Sequence, residues 1–132
     1  MADPKRILDD VLPRATDSRR IVVVGPCAAG KSTLVAALRA LGYDARVSGQ
    51  EHSAIPNLWQ HSHPDVLIAL DVDIAAVRDR RGSEWPEWLH DLQVQRLNVA
   101  TSAADLAIDT TGLRAQVVVD RVVAFLEKHD TV

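Results

Sequence analysis

Two apolar runs stand out along the chain, and each is bounded by polar or turn-forming residues. Residues 21–24, Ile-Val-Val-Val, form a continuous β-branched run, the pattern of a strand covered on both faces. Residues 66–70, Val-Leu-Ile-Ala-Leu, introduced by Pro64-Asp65, repeat it. Two weaker strands are predicted at 44–49, where Ala45, Val47 and Gly49 alternate with polar neighbours, and at 106–109. The intervening segments have helical spacing. Leu34, Val35, Leu38 and Leu41 fall on one side of a helix over 32–41 that Gly42 ends. Asp73 is a natural N-cap for a helix from Ile74 that breaks at Gly82-Ser83. Pro86 opens another, with Trp88, Leu89, Leu92, Leu97 and Val99 as its apolar positions. A last helix runs to about Lys128 and turns Val118, Val122, Phe125 and Leu126 inward. Residues 50–63 are polar and irregular, with room for a short helix near 55–60.

Strands that alternate with helices predict a parallel sheet with right-handed crossovers. The expectation is an α/β three-layer sandwich, with a small, mostly parallel sheet of about four strands flanked by helices. Ligands of such sheets bind at the carboxyl ends of the strands, so the loops after Val24, Gly49, Leu70 and Asp109 should meet at one site. Residues 1–20 read as a helical leader packed on the body: Asp3-Pro4 starts it, Ile7, Leu8, Val11 and Leu12 form its stripe, and Pro13 stops it. Residues 21–132 are expected to be a single domain, with a lid around 74–100.

With 132 residues, 47% of them apolar and 25% charged, the chain suits one globular core. A formal net charge of -3 gives no basic field that would indicate nucleic acid. No apolar run reaches membrane-spanning length, and Cys27 is the only cysteine, which excludes an internal disulfide and suits a reducing compartment. The cytoplasm is the expected location.

The chemistry concentrates in Gly25-Pro26-Cys27-Ala28-Ala29-Gly30-Lys31-Ser32-Thr33, directly behind the first strand and opening the first helix. This is the pattern G-x-x-x-x-G-K-[ST] in its expected strand–turn–helix context. Gly25 and Gly30 let successive N–H groups turn inward toward phosphate oxygens, with Cys27, Ala28, Ala29 and Thr33 completing the cradle. Lys31 supplies a compact charge for the β- and γ-phosphates, and Ser32 a hydroxyl for Mg²⁺. The expected ligand is a nucleoside triphosphate or a similar polyphosphate.

From this loop to the C-terminus, the chain resembles the nucleoside-monophosphate-kinase-like branch of P-loop proteins, which includes adenylate, shikimate and gluconate kinases. Residues 64–72 followed by Arg78-Asp79-Arg80-Arg81, and residues 104–111, carry the rest of the likeness. The resemblance implies an arginine-bearing lid after the 66–70 strand and an adenine-side loop at Thr110, with ATP and Mg²⁺ as substrate and cofactor. The sequence departs from that pattern between Gly42 and His63. This segment is short, and Arg46-Val47-Ser48-Gly49-Gln50-Glu51 replaces the usual apolar run ending in Asp. The nucleotide half is whole and the acceptor half reduced.

Phosphoryl transfer needs a metal holder, an orienting base and positive charge on the transferred group. Glu51 is the first choice for metal ligand or base, and Asp71 the second, while capping accounts for Asp73. Arg78 and Arg81 share a helix side and are the favoured lid charges; Arg80 points elsewhere, and Arg96 lies further on. Trp85 and Trp88 read as lid anchors. His61-x-His63, with His52 nearby, is only a weak signal for zinc, because the spacing is loose and no cysteine joins it. Three functions stay open: a phosphotransferase acting on a small acceptor, a nucleoside-triphosphate hydrolase, and a nucleotide-binding module with little turnover.

Overall fold

The fold was analysed as a computed structural model that describes residues 17–129. The expected leader over 1–20 falls almost wholly outside them. Four strands form one all-parallel sheet: β1 (Arg20–Val24), β2 (Asp44–Val47), β3 (Val66–Asp71) and β4 (Leu106–Asp109), in the order β2-β1-β3-β4. The helices are α1 (Lys31–Ala40), α2 (Ile74–Arg81), α3 (Glu87–Ala103) and α4 (Ala115–Lys128). Two 3₁₀ turns, Gln50–His52 and Leu58–Ser62, occupy the polar stretch between β2 and β3.

The apolar runs of β1 and β3 follow from burial on both faces. Ile21 and Val23, with Val66, Ile68 and Leu70, pack under α1 and α4 against Leu34, Leu38, Val122 and Leu126. Val22 and Val24, with Leu67 and Ala69, face the other way onto Leu97 and Ala100 of α3 and onto Trp59. The result is three layers, helices on each side of a sheet. Each large apolar side chain buried this way contributes about 1.5–3 kcal/mol, which is why residues 21–24 and 66–70 of these central strands are apolar. Strand β2 ends at Val47, and Val47 is exposed, so the alternation expected over 44–49 holds only at its start.

Helix α3 departs furthest from expectation. Its buried positions are His90, Gln93, Leu97 and Ala100, whereas Trp88 is 67% exposed and Val99 is also on the surface. Its central position on the sheet also means that the stretch read as a lid divides into a short helix, α2, and a helix that belongs to the body.

Arg19 fastens the start of the sheet to the last helix. Its guanidinium donates to the carbonyls of His129 at 3.0 Å and Leu126 at 2.9 Å, and it pairs with the Asp17 carboxylate. Among the described residues, no helix is long and apolar enough to cross a membrane.

Candidate functional site

The carboxyl ends of the strands border a cavity of about 890 Å³. Residues 27–33 of the loop over 25–33 line it, with Gly25 and Pro26 behind them. Gly25 begins this loop under steric duress: a Cβ there would lie 2.9 Å from the Leu70 carbonyl oxygen of β3, so only glycine fits without displacing the sheet. Ala28 (φ 66°) and Gly30 (φ 96°) take left-handed backbone, which folds the loop back before α1. Helix α1 then opens with no side-chain cap and no acid in its first turn. Its first amides therefore have no partner within the helix, and its positive end faces the cavity.

Lys31 is buried, and its ammonium donates to the carbonyls of Gly25 at 2.6 Å and Pro26 at 3.0 Å. Its third contact is Glu51 Oε2, also at 2.6 Å. All three ammonium hydrogens thus have partners within the protein. Glu51 is only 3% exposed, and its other oxygen, Oε1, is buried without a hydrogen-bond partner. The 3₁₀ turn Gln50–His52 brings this carboxylate in. Gln50, wholly buried, holds the following segment by donating from Nε2 to the Ile55 carbonyl at 2.6 Å and accepting from the Trp59 amide at 3.0 Å.

Cys27, Ala28, Ala29, Ser32 and Thr33 line the cavity as their spacing predicts. Thr110 lines it too, but its Oγ1 lies 3.0 Å from the carbonyls of both Ala29 and Asp71, so this hydroxyl ties the loop to the end of β3. Two expected site residues lie elsewhere. Arg78 does not line the cavity; its Nε donates to the Trp85 carbonyl at 3.1 Å and holds the turn after α2. Asp71 also stands off the cavity, and its Oδ1 accepts from the Val72 amide at 2.8 Å. Its register partner Asp109 is engaged likewise, in a bond from the Thr111 amide that lowers its carboxyl below the ordinary range.

Arg80, the arginine set aside on helical spacing, reaches the site instead: its guanidinium donates to the Ala28 carbonyl and lies 3.5 Å from that of Thr110. Arg81 lines the cavity beside it. Arg96 comes within 3.5 Å of the Glu51 carbonyl.

Sequence reasoning missed Gln93. From α3, its Oε1 accepts from the Cys27 amide at 2.9 Å and its Nε2 donates to Cys27 Sγ at 3.2 Å, which fixes that residue of the loop from behind. A polar residue on the inner stripe of a helix was the signal available. The sequence also kept Cys27 apart from the histidines, whereas the fold sets it near His52 and Glu51. No protein-family model matches the chain, and a search of curated proteins finds no match either.

Proposed function

We propose that this protein is a Mg²⁺-dependent, ATP-binding phosphotransferase of the P-loop type that acts on a small acceptor. The observation that carries this reading is the Lys31–Glu51 contact at the mouth of an uncapped helix, with Arg80 lining the same cavity and bonded to Ala28 of the loop. An anion of the size of a triphosphate tail would meet loop amides, an ammonium and a guanidinium in one cavity.

The chain's own residues account for the steps. Entry of the phosphates draws Lys31 away from its carbonyl partners and from Glu51. Arg80 and Arg81 neutralise the charge that develops on the transferred group, where an interaction present only in the transition state raises the rate. Glu51, released from Lys31, accepts the proton of the attacking hydroxyl as that oxygen bonds the γ-phosphorus and the bond from the γ-phosphorus to ADP breaks, ADP leaving with the electron pair. Ser32 presents a hard hydroxyl oxygen of the kind Mg²⁺ takes, and the partnerless Glu51 Oε1 would be a second such donor where Glu51 serves as metal ligand in place of base. Mg²⁺ held there would neutralise charge on the phosphate oxygens. A nucleotide-dependent role of this kind suits the cytoplasm.

A second reading is favoured by Gln50. Because it staples residues 50–59 onto themselves, the segment that would hold an acceptor is closed and short. That favours an acceptor as small as water, and hence a hydrolase.

Calorimetric titration with ATP and Mg²⁺ tests the binding, and a screen of small hydroxyl, acid and nucleotide acceptors tests transfer. Transfer to one acceptor is expected, and Ser32→Ala should weaken binding of Mg-ATP more than of ATP alone. Mg²⁺-dependent phosphate release without transfer would assign the hydrolase, and the absence of any nucleotide binding would refute both readings.

A further inference from the structure

Three ligating groups of different chemistry meet at the rim of the cavity. One ligand atom each from Cys27, Glu51 and His52 lies within 4.8 Å of the other two. They come from two separate loops, Cys27 following β1 and the other two following β2. Two further observations point to a ligand there. Glu51 Oε1 is buried with no partner, so the lost hydration of this oxygen stays uncompensated unless a ligand meets it. Gln93 meanwhile grips Cys27 at both its amide and its sulfur. That is the outer-shell support that orients a metal ligand.

We propose that Cys27, Glu51 and His52 form a site for a thiophilic divalent cation of the zinc class. A thiolate, an imidazole nitrogen and a carboxylate oxygen make a three-ligand set that leaves a fourth position open to water. The sulfur selects zinc-like ions over Mg²⁺, which prefers oxygen alone. As the ion binds, the Cys27 S–H bond breaks, its proton passes to solvent, and the sulfur bonds the metal as thiolate with no change of oxidation state. Lys31 holds Glu51 Oε2, so Oε1 is the oxygen left for the ion. The His52 ring is exposed and stands 3.6 Å from Glu51 Oε2, free to turn onto the metal. A consequence that rests on the nucleotide reading is that such an ion competes with Mg²⁺ for Glu51; the site itself does not depend on that reading.

Cobalt(II) titration of the full chain, followed by absorption spectroscopy without nucleotide, tests the site. The expected result is near-ultraviolet thiolate-to-cobalt charge-transfer absorption that saturates at one equivalent. Zinc should displace the cobalt, while excess Mg²⁺ should not. Cys27→Ser should abolish the band, and His52→Gln should weaken binding by roughly tenfold or more. The His61→Gln/His63→Gln double variant should leave the spectrum unchanged. Far-UV circular dichroism checks that Cys27→Ser folds, and the exposed His52 decides the matter if it does not. No thiolate band, a band indifferent to His52→Gln, or one lost in the double variant would overturn the proposal. Failure of the nucleotide reading would leave the cobalt spectrum intact, so the two are separable.

Discussion

Lys31 Nζ stands 2.6 Å from Glu51 Oε2, and both side chains are buried. The lysine on which phosphate binding would depend is therefore already neutralised by the carboxylate proposed as base. Removal of one partner of a buried pair leaves the other charge uncompensated and costs about 3–5 kcal/mol. Lys31→Ala should accordingly lower stability by about that amount, and Lys31→Ala/Glu51→Gln should recover most of it; urea denaturation of the three variants measures the coupling. Glu51→Gln alone should bind metal-free ATP several-fold more tightly than the wild type by calorimetry, because Lys31 is then unpaired, yet turn Mg-ATP over more slowly.

The rim arginines should separate in the same assays. Arg80→Ala should reduce turnover at saturating nucleotide by about tenfold or more, as loss of a transition-state charge does. Arg78→Ala should act instead through the turn it holds at Trp85, with a small loss of stability and little change in rate. Equal turnover for Arg80→Ala and wild type would make Arg80 a structural link between Ala28 and Thr110 only.

What the sequence made legible tracks how completely burial dictated residue type. Strands β1 and β3 are apolar on both faces, and their pattern admits no other reading. The turn between β1 and α1 was equally legible as a turn: Gly30 takes left-handed backbone and Gly25 leaves room for the Leu70 carbonyl, although Ala28 enters the same left-handed region with no signal in its residue type. Helix α3 and its start after Pro86 are legible but its buried stripe is not, since two of its four buried positions are His90 and Gln93 and an apolar count slides the stripe onto Trp88 and Val99. Gln93 is inside because its amide is used on Cys27, a contact 66 residues away that no local pattern announces. Arg80 was set aside for a related reason: helical spacing says which side chains share a side, but not which side meets the loop.

Gly25 should tolerate no side chain. Its added Cβ would meet the Leu70 carbonyl at 2.9 Å, and backbone cannot retreat as a flexible side chain can. Gly25→Ala should destabilise the fold by about 1–3 kcal/mol, the range of overpacking in a tight core. Thermal denaturation gives the shift, and an unchanged midpoint would show that β3 yields at this point.

The Asp17–Arg19 pair should make stability pH-dependent at the acid end. The Arg19 guanidinium, through its hydrogen bonds, holds the Asp17 carboxyl below the ordinary aspartate value. A depressed carboxyl stabilises the fold above its unfolded value, near pH 4, and that contribution fades as pH falls through the folded one. Asp17→Asn should cost about 1.5–3 kcal/mol at pH 7, the range for a charged hydrogen bond. The gap to wild type should close as pH drops well below 4, when urea midpoints are compared across that span.

The strand order β2-β1-β3-β4 also governs when the chain can acquire its structure. Strand β1 is flanked by β2 and β3, and β3 by β1 and β4, so every pairing spans a crossover rather than a hairpin. As the polypeptide leaves the ribosome, residues 20–24 emerge early, yet one edge of that strand stays open until residue 66 and beyond are available. Its four successive branched side chains are therefore exposed for as long as synthesis takes to reach β3. A nascent chain halted before Val66 presents an unsatisfied parallel edge, the kind of surface that chaperones retain and that aggregates when they do not.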